Sequence, residues 1–349
     1  MKKFLVLILS LLFVFAIAGC SGTDDGDNGD GNGGDNGDSE ITGHLVIYTS
    51  EPQDLVTEML DAFTDANPGV TYELFRSGTG DVKAKLDTEL QAGGTDADII
   101  WFADIGYMYN LDDQGLIYHF TPDAVSDLPA DYKYNDGMGH EVRAIYSVIA
   151  YNTTKVSDPP KDWKDITTED YRSVVALANP NYSGGAFTTL VGHIQNEDLV
   201  GWDWYNDLKA IDVKMEQSNG TLSTKVASGE YEAVVVVDYL PRNAKKEGSP
   251  VDYVYPESGA VMIPTPLCIV ETIEEDNIDA AKALVEFMFT VDNQKLFVEQ
   301  GYVPMNSDAA EGTDVPTIED ITVMPFDLDF YVENADAIRA EYVRIFGAE

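Results

Sequence analysis

From about residue 44 onward, apolar positions switch repeatedly between a period of two and a period near 3.6. "HLVIYTS" reads as a strand, and "EPQDLVTEMLDAFTDANPG" places Leu55, Val56, Met59, Leu60 and Phe63 on one helical face, stopped at Asn67-Pro68-Gly69. "VTYELF" alternates as a strand, "GDVKAKLDTELQAGG" keeps Val82, Leu86 and Leu90 in helical register, and "ADIIWF" is a short apolar strand. "EVRAIYSVIAYNTT" reads as one longer strand around residue 145. A second series follows to about residue 240: "VVALANP", a glycine turn, two helices, "GTLSTKVASGE" and "YEAVVVVDY". "AVMIPTPLCIV" and "NIDAAKALVEFMFTVDNQKLFVEQGYVP" then look like a return to the first unit. Strands alternating with helices predict an α/β chain with mostly parallel sheets and covering helices. Roughly 305 residues of such pattern fit two domains better than one.

The region before the pattern has a different character. "MKKFLVLILSLLFVFAIAGC" has two lysines, an apolar run from Phe4 to Ile17 and small residues before Cys20, the layout of a secretory signal over residues 1–20. Residues 21–43 begin "SGTDDGDNGDGNGGDNGDSE", which has no large apolar residue to bury and is expected to be a disordered acidic tether. About 20 such residues span roughly 25 Å on average. Its aspartates do not follow the calcium-loop spacing. The remaining cysteine, Cys268, sits in the apolar run "PLCIV", so the mature chain has no disulfide framework and Cys268 is expected to be a small buried hydrophobe.

Four short runs stand where a strand or loop meets a helix start: Tyr48 to Gln53, Arg76 to Asp81, Tyr182 to Phe187 and Gln217 to Ser223. Each offers hydroxyls or amides beside the free N–H groups of a helix's first turn, where the dipole is positive. The candidate ligand-binding residues are Ser50, Ser77, Gly78, Thr79, Gly80, Ser183, Gly184, Gly185, Ala186 and Asn219. Neither glycine run has the lysine that a P-loop requires, and "RSGTGD" lacks the third glycine of a dinucleotide motif. No G-x-S-x-G elbow is present, and His44, His119, His140 and His193 show no metal spacing. The chain therefore reads as a binder without catalysis, cofactor or resident metal.

Taken together, "YTSEP", "ADIIWFAD", "NPNYSGGAF", "NGTLSTKVASGEYEAVVVVDY" and "VYPESGAVMIPTPLCIV", in this order, resemble an extracellular solute-binding protein of an ABC importer. More closely, it resembles the ferric-binding and organophosphate-binding branch of periplasmic-binding-protein type 2, and "AIAGC" resembles a lipobox. This resemblance implies two α/β lobes, each a mixed sheet flanked by helices, with a cleft between them. Lobe 1 would comprise residues 44–140 plus 256–310 and lobe 2 residues 141–255 plus 311–349, with crossings near 141–150 and 250–260. It also implies a lipid on Cys20 that anchors the protein to the membrane, facing the periplasm or extracellular space, and ABC permease subunits as partners. The family's iron ligands, a histidine, a glutamate and two tyrosines, fall on Pro52, Ala103, Asp238 and Tyr239. Only one of the four is kept. "SGGAF" matches the family's anion-binding helix start, and Asn219 falls on an anion-contacting asparagine. The expected ligand is thus a phosphorylated organic anion or zwitterion, such as a sugar phosphate or an aminoalkylphosphonate. Asp238 and Glu257, with no cationic neighbours in sequence, are expected to face its polar or cationic far end alongside Tyr239. Ferric or other metal binding, and ligand sensing without transport, are the alternatives.

Charge narrows the partners further. The chain has 21 basic and 62 acidic residues, a net −41; without the signal and tether the body keeps 19 against 55. Nucleic acid is a poor match for such a surface. The self-repulsion would be screened in a saline habitat, because the Debye length shrinks to ~3 Å at 1 M salt. The thermal midpoint of the protein is therefore expected to rise as NaCl is added to a low-salt buffer; a flat response in a thermal-shift titration would remove the saline reading.

Overall fold

The computed structural model describes residues 41–128, 132–134 and 137–347. The expected signal peptide, Cys20 and nearly all of the tether lie outside the described residues. The chain runs β1 (Gly43–Thr49), α1 (Gln53–Ala66), β2 (Val70–Arg76), α2 (Thr79–Gln91), β3 (Ile99–Trp101), α3 (Ile105–Asp113) and β4 (Ile117–Tyr118). It continues through β5 (Arg143–Ala144), β6 (Ser147–Asn152), β7 (Val175–Ala178), α4 (Gly184–Gln195), α5 (Gly201–Ala210), β8 (Lys214–Glu216), α6 (Asn219–Ser228), β9 (Ala233–Val237), α7 (Tyr239–Lys246) and β10 (Val251–Val254). It closes with β11 (Leu267–Val270), α8 (Glu275–Met288), α9 (Val291–Glu299), β12 (Val303–Pro304) and α10 (Leu328–Phe346).

Two five-stranded sheets result, ordered β2-β1-β3-β11-β4 and β10-β6-β9-β7-β8, with β5 and β12 as a small separate pair. β1 is parallel to β2 and β3, while β11 runs antiparallel to β3 and β4. In the second sheet β7 is parallel to β8 and β9, and β6 is antiparallel to β9 and β10. Each lobe is therefore a mixed sheet flanked by helices. The apolar faces read in the sequence are the buried ones: α1 covers its sheet with Val56, Met59, Leu60 and Phe63, spaced three, one and three residues apart. α6 buries Leu222 and Val226 and stops at Gly229, whose φ of +77° is a left-handed cap that favours glycine.

Three local expectations are corrected. The single strand expected around residue 145 is two, because β5 pairs with β12 outside both large sheets and the chain joins the second sheet only at Ser147, after Ile145 and Tyr146. There the main chain pairs with the return segment instead: Ile263 N–H donates to Ile145 O at 2.9 Å, and Ser147 N–H to Val261 O at 2.9 Å. The second crossing consequently lies at residues 260–266 rather than near 250–260, where β10 is still an edge strand of the second sheet. α10 touches both lobes. Arg339 donates to Pro180 O at 2.9 Å in the second lobe, while Tyr331 hydrogen-bonds Asp104 at 3.2 Å in the first. His193, by contrast, is a core residue. It packs between Trp163 and Trp204 with its Nδ1 3.1 Å from the Tyr205 hydroxyl, and burial pushes it down to about 3.

The lobes come into close contact at the first residue of α4. A Cβ on Gly184 would sit 1.9 Å from Ala103 O and 3.1 Å from Thr79 Oγ1, both in the first lobe. Only glycine allows this approach, since carbonyl and methyl cannot overlap. Gly184→Ala is expected to hold the lobes apart, giving a larger radius of gyration by small-angle scattering. Because the new methyl would also be at a helix start, the thermal midpoint should move by no more than about 4 °C. An unchanged scattering profile would overturn the expectation that this contact limits how closely the lobes approach.

Candidate functional site

The cleft between the lobes is built from the carboxyl ends of β1, β2, β3, β7, β8 and β9, where ligands of open α/β sheets sit. Its volume is about 390 Å³, enough for a small organic molecule. After β1, the Thr49 hydroxyl donates to Trp101 O at 2.6 Å and accepts from Glu51 N–H at 3.0 Å. That turn sets Ser50, Glu51 and Pro52 on the cleft wall before α1 begins. Arg76 ends β2 and folds back on them, its Nε donating to Glu51 O at 3.0 Å and its Nη2 to Ser50 O at 3.3 Å. Gly78 caps α2 in an extended conformation, and the Thr79 hydroxyl donates to Ser50 Oγ at 3.1 Å.

The opposite wall is the glycine turn. Asn179 accepts Asn181 N–H at 2.9 Å and swings the chain away from β7, and Ser183 caps α4 by accepting Ala186 N–H at 3.3 Å. The N–H groups of Gly184 and Gly185, in the first turn, have no partner within the helix. Asn219 reaches over from the start of α6 and donates to Ser183 Oγ at 3.3 Å. Tyr182 is half exposed at the rim. Two helix starts from different lobes, α2 and α4, thus open on the same space with the Arg76 guanidinium beside them. Dipoles and a cation together favour an anion there.

Of the residues expected from sequence, Ser50, Gly78, Thr79, Ser183, Gly184, Gly185, Asn219 and Tyr239 line this cleft. Ser77 does not; its hydroxyl donates to Asp81 at 2.7 Å. Neither Gly80 nor Ala186 reaches it: Gly80 lies exposed on α2, and Ala186 packs toward the apolar cluster of Val148, Ala178 and Val236. The expectation for the two acids is overturned. Asp238 is 0% exposed, and its carboxylate accepts Arg242 Nη2 at 2.9 Å, the Tyr255 hydroxyl at 2.8 Å and Tyr146 N–H at 3.2 Å. The helical turn that begins right after β9 explains the difference: Val237 and Tyr239 line the cleft, whereas Asp238, already in helical conformation between them, turns its side chain away from it. Its cation was in the sequence four residues on, one helical turn into α7. Glu257 is exposed away from the cleft, in a turn whose N–H donates to Lys161 O at 3.0 Å.

The floor carries residues that the sequence reading left out. Arg143 is 1% exposed, pairs through Nη2 with Glu51 Oε2, and donates from Nη1 to Thr265 Oγ1 at 2.9 Å. Its guanidinium lies 4.1 Å from the Tyr302 ring centre and 4.8 Å from that of Trp101. The Thr265 hydroxyl donates to Glu141 at 2.8 Å, and Tyr134 donates to the same carboxylate at 2.9 Å. Burial pushes Glu141 up to about 7, against the pull of these donors and of Arg143. Tyr239 stacks on Tyr302 with centroids 4.4 Å apart, and burial, then the Glu51 charge, pushes its phenol above the ordinary range. An arginine inside the apolar run "EVRAIYSVIA" was the available signal, because a cation there must be paired. Among the described residues, no group of three or more His, Cys, Asp or Glu could hold a metal ion, and no helix is long and apolar enough to cross a membrane.

Comparison with known proteins fits this architecture. The chain is 25% identical over 256 residues to a probable ABC transporter periplasmic-binding protein of Sinorhizobium fredii, covering 69% of each. Among solved structures it is similar to the periplasmic binding protein AfuA of Actinobacillus pleuropneumoniae with fructose-6-phosphate bound: TM-score 0.76, 20% identity, 88% of this chain and 99% of that one. It is also similar to iron-bound HitA of Pseudomonas aeruginosa, with TM-score 0.72, 18% identity, and coverage of 86% and 99%. The model of a family described as bacterial extracellular solute-binding protein matches residues 58–323, about three quarters of the sequence. On that match, the chain belongs to the bacterial extracellular solute-binding protein family.

Proposed function

We propose that this protein is the membrane-anchored solute-binding lipoprotein of an ABC importer and that it captures a small phosphorylated organic molecule by closing its lobes. The observation that carries the reading is the convergence of the α2 and α4 starts with Arg76 on one cleft. Free N–H groups of two first turns and a guanidinium supply charge-assisted hydrogen bonds in the number a phosphoryl group accepts. The likeness to a protein solved with fructose-6-phosphate and to a probable ABC transporter binding protein lends it further support. A ferric site draws less support. The family's iron-ligand positions hold Pro52, Ala103 and Asp238, and Asp238 is already committed to Arg242. The lipid anchor rests on the "AIAGC" segment.

Calorimetric titration with inorganic phosphate, glucose 6-phosphate, 2-aminoethylphosphonate and ferric citrate is the test. Phosphoryl compounds should bind, and Arg76→Ala should weaken all of them by roughly 10- to 100-fold, the value of about 1.5–3 kcal/mol for a hydrogen bond to a charged group. Tight ferric binding with no response to any phosphoryl compound would sink the proposal.

A further inference from the structure

The cleft holds one carboxylate whose place does not follow from anion capture. Glu51 is 6% exposed, lines the cleft, and spends Oε2 on Arg143. Oε1 receives no hydrogen bond from any described residue. A carboxylate oxygen without a donor is tolerable while water reaches it and costly once closure expels that water. It also repels a phosphoryl group brought alongside, so the anion and Glu51 must meet different ends of one ligand.

We propose that Glu51 is a specificity-determining residue: Oε1 accepts a hydrogen bond from an N–H or O–H donor at the ligand's non-anionic end. The inference rests on the phosphorylated-ligand reading and narrows it to donor-bearing phosphates and phosphonates. Arg143 fixes the carboxylate from below, and Thr265, which accepts from Arg143 and donates to Glu141, locks the guanidinium in turn. Tyr239, on the neighbouring wall, confines the space beside it. A side chain held by a buried partner has little rotamer freedom left to lose, so the ligand donor meets a preorganised acceptor.

Three probes separate the ends of the ligand: 2-aminoethylphosphonate carries an ammonium, 2-hydroxyethylphosphonate a hydroxyl, and ethylphosphonate neither. The wild type should bind at least one donor-bearing probe about tenfold or more tightly than ethylphosphonate. Glu51→Gln should erase that preference, read within the variant as the ratio of donor-bearing probe to ethylphosphonate affinity, because the stranded Arg143 lowers all three affinities together. A ratio lost for the ammonium probe alone assigns an ammonium end, because the glutamine carbonyl still accepts from a hydroxyl; loss of both ratios assigns the charge as the reader. Unchanged ratios would overturn the inference and leave the phosphoryl reading standing. A wild type that binds none of the probes, nor the phosphates above, overturns both. If Glu51→Gln does not fold, Glu51→Asp keeps a charge for Arg143, shortens the reach by one methylene, and is judged by the same ratio.

Discussion

The buried ion network around Arg143 is the interaction on which the rest of the cleft depends. It joins Glu51, in the turn after β1, to Arg143 and Glu141 on the first crossing segment and Thr265 on the second. Those segments are the path between the sheets, so the network sits where the lobes are connected. A buried pair of this kind adds little net stability over an apolar replacement, yet removal of one partner costs about 3–5 kcal/mol because a charge is stranded. Its contribution is therefore to geometry. Trp101 and Tyr302 flank the guanidinium, Trp101 Nε1–H donates to Thr265 O at 3.0 Å, and the floor has a single arrangement.

Local and global electrostatics oppose each other in this molecule. A body with 55 acids against 19 bases repels anions at long range, whereas the cleft presents two helix starts and Arg76. The long-range part falls off over a Debye length of about 8–10 Å at physiological salt, and the hydrogen bonds of the cleft act below 4 Å. Capture of an anion is thus compatible with an acidic surface when salt is present. The same surface disfavours nucleic acid, whose binding depends on that long-range term.

Most of the secondary structure was legible because it follows from period. β2, α1 and α2 stand where the alternation of apolar residues put them. The wall residues were legible for a related reason: Ser183, Gly184 and Asn219 are at helix starts after strands, and helix starts are marked locally by caps. What was not legible is whatever depends on which way a side chain turns where a strand gives way to a helix. Asp238 and Tyr239 are neighbours, yet one is tied to Arg242 and the other lines the cleft. Partners remote in sequence were also invisible, as with Glu51 and Arg143, 92 positions apart. The place of residues 328–346 depends on packing alone, since α10 has no motif and is held by Tyr331 and Arg339.

That last element bears on how the lobes move. Asp104 caps α3 by accepting Tyr107 N–H at 3.1 Å, holds Lys83 at 2.6 Å, and accepts the Tyr331 hydroxyl from α10. A Cβ on Gly106 would meet the Tyr331 ring at 2.5 Å, so α10 lies directly against α3. Asp104 follows Ala103, the residue whose carbonyl meets Gly184. One short loop of the first lobe therefore touches both the cleft wall of the second lobe and α10, which itself contacts both lobes. A ligand that bridges Glu51 and the α4 start adds its bonds to the arrangement in which those contacts are made, and only such differential binding shifts the equilibrium between open and closed lobes. On the proposed reading, the polar floor around Arg143 would set where the ligand ends and the Gly184–Ala103 contact how closely the two walls approach around it.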